Sequence, residues 1–181
     1  MGTLHSMKKS ILIITSMILI LVASFSLLFY LLSSSFGDIN DVKRTNLTNE
    51  SIDDLHLGDE ITPAVLKKLK DNYGETVNDP DMAILLSTEH SNAYKFYKFY
   101  AGVHSTNTVN CIVTEKPTVQ TSKGISVGDK VDKVKKSYGE HFRASLDEIG
   151  ESITYIDQEQ GVFIQFVLHD EKVHQIILTT T

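Results

Sequence analysis

The sequence has few of the residues that hold small exported domains together covalently. Of its 181 residues, one is cysteine, Cys111, and none is tryptophan. A single cysteine excludes an internal disulfide, so the fold depends on packing alone. Cys111 also lies far from the N-terminal hydrophobic segment described below, which excludes a lipid-modified cysteine next to that segment.

Acidic residues are absent from the first 32 positions. All 23 Asp and Glu residues come later, and the basic residues before position 11 are Lys8 and Lys9. The remainder is therefore more negative than the whole chain, whose net charge is −6. Such a domain lacks the concentrated basic surface that nucleic acid requires, and anionic lipid repels it. The sequence therefore predicts no nucleic-acid partner.

Residues 11–32 contain no charged residue and no proline. About 20 apolar residues are enough for a helix to cross the hydrocarbon core of a bilayer. Because positively charged flanks stay in the cytoplasm, we predict a cytoplasmic tail at 1–10, a single-pass transmembrane helix at 11–32 that contacts the lipid bilayer, and a C-terminal part outside the cell membrane. The alternative is a signal peptide cleaved near Ser24, which would make the protein secreted. The apolar run continues to Leu32, and this length favours a retained anchor.

The rest of the chain divides into a polar tether, predicted at 33–51, and a domain predicted at 52–181. Two segments of the domain resemble each other: Leu-His-Leu-Gly-Asp at 55–59 and Ile-Ser-Val-Gly-Asp at 125–129. Each is followed by a lysine-rich amphipathic segment that ends in Tyr-Gly. We interpret them as the starts of two pseudo-repeats of one helix-then-strands unit, at 52–114 and 120–181.

The helix boundaries follow from capping residues. Thr62 is a suitable N-cap before Pro63, and Gly74 predicts a left-handed C-cap. In the second unit, Asp129 is the predicted N-cap and Gly139 the end. Alternating or apolar runs predict strands at 82–86, 94–100, 108–114, 151–157, 161–168 and 172–178. The predicted fold class is α+β: an N-terminal transmembrane helix, then an antiparallel sheet with helices on one face.

A family resemblance lies in the second unit. It is carried by the segment 121–139, Thr-Ser-Lys-Gly-Ile-Ser-Val-Gly-Asp-Lys-Val-Asp-Lys-Val-Lys-Lys-Ser-Tyr-Gly, together with the strands at 153–156, 163–168 and 172–177. The chain resembles small exported or membrane-anchored proteins of Bacillus and its relatives. It is distantly similar to the SmpA/OmlA outer-membrane assembly lipoproteins and to the β-lactamase inhibitor protein. It departs from the lipoproteins in having no lipid-modified cysteine and in Glu140, where they usually have proline. The resemblance implies a non-catalytic domain that works by binding.

One segment of the domain combines aromatic rings with cations. Residues 94–100 hold five aromatic residues and two lysines. As a strand, the segment would place even-numbered residues on one face and odd-numbered residues on the other. Such a surface can stack on sugars or bases or form a protein-binding hot spot, whereas the alternative is a core strand. The predicted binding residues are Tyr94, Lys95, Phe96, Tyr97, Lys98, Phe99 and Tyr100.

No motif in the sequence predicts catalysis, a cofactor or a metal. Residues 124–128 read Gly-Ile-Ser-Val-Gly and Ser6 precedes Lys9 at Ser-x-x-Lys spacing, but neither match stands out as a nucleophile context, and no paired carboxylates are placed for hydrolysis. His169 and His174 flank a predicted hairpin, but two histidines without a third ligand make a weak metal site. Cys111, in the middle of a strand, is predicted to be buried and inert.

These features predict a membrane-tethered, extracytoplasmic binding or assembly module of a Gram-positive cell envelope. Its partner would be another envelope protein or a wall polymer. The first alternative is a secreted inhibitor or immunity-type protein. The second is an envelope enzyme, which is disfavoured because the sequence offers no recognisable catalytic constellation.

Overall fold

The computed structural model of the protein describes residues 43–74, 76–78, 92–104, 106–147 and 150–180. The predicted membrane span at 11–32 and the strand predicted at 82–86 lie outside these residues. Among the residues that are described, no helix is long and apolar enough to cross a membrane. All of them belong to one compact unit, Ile39–Thr181.

Two helices form where the capping signals predict them. Helix α1 spans Pro63–Tyr73, and the Thr62 hydroxyl accepts a hydrogen bond from the Val65 N–H. Helix α2 spans Val131–Tyr138 and ends at Gly139. Gly74 has φ 86° and ψ 173°, a combination that is open to glycine but not to other residues. The predicted left-handed cap at Gly74 is therefore wrong in ψ, although its positive φ explains why glycine ends the helix.

The predicted N-cap of α2 is wrong. Lys130 occupies the N-cap position, with no hydrogen bond from its side chain to the helix. The Asp129 carboxylate instead accepts hydrogen bonds from the Ser126 N–H at 2.8 Å and from Lys133 Nζ at 2.7 Å. Asp129 thus ties the loop before α2 to the Lys133 side chain in the first turn, and it does not cap the backbone N–H groups of the helix.

The strands form an antiparallel α+β fold, as the sequence predicts. A short pair joins β1 (Ser51–Ile52) to β2 (Leu55–His56), and eight strands form the main sheet in the order β3-β4-β5-β6-β10-β9-β8-β7. Their bounds are β3 Val77–Asn78, β4 Asn92–Lys95, β5 Tyr100–Val103, β6 Val109–Thr114, β7 Arg143–Asp147, β8 Gly150–Asp157, β9 Val162–His169 and β10 Lys172–Thr180.

The core lies on one face of this sheet. Directly opposite residues in antiparallel strands share a face, and one such row runs from Ala101 through Ile112, Leu178 and Ile164 to Tyr155. All five side chains in the row are fully buried.

Both helices pack into the same core. Leu69 and Tyr73 of α1, and Val134 and Tyr138 of α2, belong to one hydrophobic cluster with the sheet residues. The Tyr138 ring lies 5.1 Å from the ring of Tyr155, centroid to centroid. These contacts bury the apolar face of each helix.

The two halves of the unit make equivalent hydrogen bonds at their Gly-Asp segments. Each glycine N–H donates to a valine carbonyl, and the same valine N–H donates to the neighbouring aspartate carbonyl. The pairs are Gly58 to Val109 at 2.7 Å and Val109 to Asp59 at 2.9 Å, and Gly128 to Val173 and Val173 to Asp129, both at 2.8 Å.

The strand registers of the two halves also correspond. Asn110 of β6 and His174 of β10 both lie at register irregularities and have no opposite residue in the adjacent outer strand. The two halves meet where β6 pairs with β10, and Val113 lies opposite Ile177 at equivalent positions. The sheet is therefore approximately two-fold symmetric about this pair.

The predicted tether boundary is wrong at its C-terminal end. Leu47 is 3% exposed and belongs to the core. The Thr45 N–H donates to the Ile156 carbonyl at 2.9 Å. Arg44 Nε donates to the buried carboxylate of Asp157 at 2.7 Å, and the Leu47 N–H donates to the same carboxylate at 3.0 Å. The folded domain therefore includes residues 44–51, which are polar in composition but carry one anchoring leucine.

Candidate binding site

The aromatic segment 94–100 forms a hairpin turn rather than the single strand that the sequence predicts. β4 ends at Lys95 and β5 begins at Tyr100, so four residues connect the two strands. The Phe96 N–H donates to the Phe99 carbonyl at 2.9 Å across this connection. The predicted alternation of faces is therefore wrong between Lys95 and Tyr100.

Burial of two phenylalanines accounts for the turn. In a continuous strand, Phe96 and Phe99 would point to opposite faces. In the turn both are buried, at 4% and 2% exposure. Their ring centroids are 5.1 Å apart, and the Phe99 ring lies 4.9 Å from that of Tyr73 at the end of α1. The turn thus places both rings in the core and leaves Tyr97 exposed.

Hydrogen bonds fix the turn to its neighbours on two sides. The Tyr97 N–H donates to the Tyr73 carbonyl at 3.2 Å. The Thr114 hydroxyl donates to the Lys98 carbonyl at 2.8 Å and accepts from the Lys116 N–H at 3.1 Å. The backbone of the turn is therefore held against both α1 and the end of β6, which fixes the positions from which its exposed side chains project.

A pocket of about 270 Å³ opens beside the turn. One wall consists of residues 95–100, which are six of the seven predicted binding residues, and the other consists of Val113, Glu115 and Lys116. Tyr94, the seventh, is half-buried and packs against the core. The sequence contains no local signal for the second wall, because strand pairing across the sheet brings Val113 opposite Tyr100.

The lysines of the pocket lie over aromatic rings. Lys95 Nζ is 5.3 Å from the Tyr100 ring centroid, and Lys116 Nζ is 5.7 Å from that of Tyr97. Lys98 Nζ lies 5.5 Å from the ring of Tyr73. These distances fall within the range of cation–π attraction, which is about 0.5–1 kcal/mol at exposed sites. The rings thus position the ammonium groups around the pocket without neutralising them.

The charge of the pocket is the reverse of the charge of the chain. In the part of the protein that the structure describes, no ion pair involves Lys98 or Lys116. Glu115 is the one carboxylate in the lining, and its Oε1 accepts a hydrogen bond from Gln175 Nε2 at 2.8 Å. The lining therefore carries a net positive charge in a chain whose net charge is −6.

The pocket lies where the two halves of the sheet differ. In the second half, the β8–β9 hairpin continues through three further pairs, from Tyr155 opposite Ile164 to Asp157 opposite Val162. In the first half, the equivalent hairpin stops at Lys95 opposite Tyr100. The shorter hairpin leaves Glu115 and Lys116 beyond the last β5–β6 pair, and the space beside them is the pocket.

A second pocket, of about 250 Å³, lies against α1 and has an acidic wall formed by Asp54, Asp59 and Glu60. Tyr73, whose ring centroid is 5.5 Å from Lys98 Nζ, also lines this second pocket. Burial raises the pKa of the Tyr73 hydroxyl above its ordinary value, and the nearby carboxylates of Asp53 and Asp54 raise it further. The sequence motifs do not point to this acidic pocket.

The remaining sequence candidates do not form a chemical site. The rings of His169 and His174 lie 6.3 Å apart, centroid to centroid, and the described residues contain no group of three or more metal-ligating side chains. Cys111 is buried, as predicted, and burial raises the pKa of its thiol to about 11. A thiol with this pKa is almost fully protonated at neutral pH and is a poor nucleophile.

No protein-family model matches the chain, and no curated protein or solved structure is significantly similar to it. The resemblance of residues 121–177 to exported proteins of Bacillus and its relatives therefore stays a prediction.

Proposed function

We propose that the protein is a membrane-tethered, extracytoplasmic binding module of the bacterial cell envelope, and that it works without catalysis. In this proposal residues 11–32 anchor the chain with its N-terminus inside, and the domain engages an envelope protein or a wall polymer. The two equivalent halves of the sheet, as pseudo-repeats of one unit, serve as a rigid scaffold for the binding surface.

The observation that carries the proposal is the exposure of Tyr97 on an ordered turn. Tyr97 is 76% exposed, although its neighbours Phe96 and Phe99 are buried and its own N–H is bonded to Tyr73. Ordered aromatic side chains beside a pocket are typical of binding hot spots, because little conformational entropy is lost when they are covered. Among the described residues, the Tyr97 ring is not part of the hydrophobic core, and Lys116 Nζ lies 5.7 Å from its centroid.

The test is a crosslinking pull-down from intact cells that carry the full-length protein with a C-terminal tag. Tyr97→Ala should reduce the amount of captured partner at least about tenfold. This corresponds to a loss of binding free energy of about 1.4 kcal/mol or more, as expected for a hot-spot residue. Leu146→Ala is the matched control, because Leu146 is, with Tyr97, a large exposed hydrophobic residue in the part of the chain that the structure describes, at 72%. Phe99→Ala is unsuitable as a test of binding, because Phe99 is buried and its truncation would destabilise the domain.

Two results would count against the proposal. If the same partner is captured equally by the wild type and by Tyr97→Ala, binding takes place elsewhere on the domain. If no partner is captured and the protein is recovered from the medium, the tethered module is the wrong description, and a secreted inhibitor becomes the better one.

A further inference from the structure

We propose that the pocket beside the 96–99 turn binds an anionic sugar: one ring that carries a phosphate or a carboxylate, as a free compound or as a unit of a wall polymer. This proposal rests on the proposed function, since it names the ligand of the same site. Three properties of the pocket support it: its charge, its exposed ring and its size.

The charge of the pocket selects for an anion. Lys98 and Lys116 have no carboxylate partner among the described residues, so an anion can bind without breaking an existing ion pair. Glu115, which could compete for them, is engaged by Gln175. Charge-assisted hydrogen bonds from ammonium groups to phosphate or carboxylate are among the stronger polar contacts in proteins.

The exposed ring selects for a flat partner. The side chain of Tyr97 is mostly open to solvent, while Lys116 Nζ lies 5.7 Å from its ring centroid. A ligand that covers the ring therefore brings its own substituents close to that ammonium group. Sugars and bases both meet this requirement, because a sugar ring presents an apolar C–H face and a base presents a flat π face, each with polar groups at its edge.

The size and the overall charge favour a single sugar over a nucleic acid strand. A volume of about 270 Å³ equals roughly nine water molecules in the liquid, which suits one ring with an anionic substituent. Single-stranded nucleic acid binds along a basic groove that follows several phosphates. The net charge of −6 opposes such a polyanion outside this one pocket.

The experiment is isothermal titration calorimetry of the full-length chain in detergent, with glucose 6-phosphate, glucuronate, glucose, inorganic phosphate and an oligonucleotide as probes. Glucose 6-phosphate or glucuronate should bind, glucose and inorganic phosphate alone should bind more weakly, and added salt should weaken the binding of the charged sugar. Lys116→Gln should weaken that binding by about threefold to tenfold and leave glucose unaffected.

The controls separate a binding role from a structural one. Lys136→Gln removes an exposed lysine of α2 that does not line the pocket, and it should change nothing. Unfolding in urea should show that Lys116→Gln is as stable as the wild type. Tyr97→Ala should weaken the charged and the neutral sugar alike, because it removes the ring and not the charge.

Several outcomes overturn the proposal. If glucose and glucose 6-phosphate bind with equal affinity, the lysines do not select for an anion. If the oligonucleotide binds more tightly than the sugars, the ligand is a nucleic acid instead. Absence of binding by both charged sugars at millimolar concentration rejects the ligand class. If neither charged sugar binds but Tyr97→Ala loses its partner in the cellular pull-down, the binding module stands and this ligand assignment alone fails.

Discussion

Leu47 provides the sharpest test of the domain boundary. Its position in a polar stretch predicts a tether, in which a Leu→Ala substitution would have almost no effect. In the structure the side chain is 3% exposed and packs in the core. Truncating a buried leucine to alanine costs about 2–5 kcal/mol, because transfer free energy is lost and a cavity is left.

The expected loss for Leu47→Ala is about 3 kcal/mol. The value lies in the lower part of the range because Leu47 is in a segment near the start of the unit Ile39–Thr181, where the chain can partly close the cavity. For a domain of this size, the corresponding fall in Tm is roughly 10 °C.

The assay is urea unfolding of the fragment 39–181, followed by far-ultraviolet circular dichroism, since the chain has no tryptophan to report by fluorescence. Leu146→Ala is the control: it removes the same atoms from a side chain that is 72% exposed, and it should stay within about 0.5 kcal/mol of the wild type. If Leu47→Ala also stays within about 0.5 kcal/mol, residues 44–51 do not belong to the folded domain, and the reasoning is refuted.

Two further predictions follow from the titratable groups. The Arg44 guanidinium, by its hydrogen bond to Asp157, holds the pKa of that carboxyl below its ordinary value. The ionised carboxylate therefore stabilises the fold above its unfolded-state pKa of about 3.9, and this stabilisation is lost as the pH falls through the lower folded-state pKa. Urea midpoints of the wild type and Asp157→Asn should differ at pH 7 and converge as the pH falls through the lowered folded-state pKa; a constant difference contradicts the assignment. Because burial raises the pKa of Cys111 to about 11, its thiol should react with a disulfide reagent at pH 8 only when urea unfolds the chain, and rapid labelling of the folded protein would show that it is accessible.

The parts of the fold that could be predicted depend on local signals. Pro63 after Thr62 and Gly74 determine α1 because capping and positive φ act within one or two residues. The β9–β10 hairpin follows from alternating residues around Asp170 and Glu171, which both take positive φ in the turn. Each of these features is marked by a local pattern: capping residues at the ends of α1, and two alternating runs separated by a short polar stretch at the hairpin.

The parts that could not be predicted depend on distant residues. The 96–99 turn contains no glycine, proline or asparagine, and it forms because Phe96 and Phe99 both reach the core beside Tyr73. A run of aromatic residues has high strand propensity, so sequence reasoning extends the strand through the turn. In the same way, the role of Leu47 becomes visible only once Asp157 is placed beside it by the β8–β9 hairpin.

The composition of the sequence indicates where the candidate site lies, but it does not predict the arrangement of the side chains in it. The mixture of rings and lysines marks residues 95–100, yet the second wall comes from residues 113–116, which carry no comparable pattern. As a single strand, the segment would place Phe96 and Lys98 on one face and Tyr97 and Phe99 on the other, whereas in the structure both phenylalanines are buried and Tyr97 is the exposed ring. Composition therefore indicates that a surface exists, and only the pairing of β5 with β6 shows which atoms form it.

The difference between the two halves gives the pocket its significance. In the second half the longer hairpin places Asp157 against the N-terminal segment, where its carboxylate accepts hydrogen bonds from Arg44 and Leu47. The first half has no such extension: Phe96, the equivalent of Tyr155, is also buried, but the chain turns back within residues 96–99 and leaves Tyr97 exposed. Proteins depart from locally regular structure at functional sites. The shortened hairpin is therefore an argument for function at residues 96–99 that is independent of their charge, and it supports both proposals.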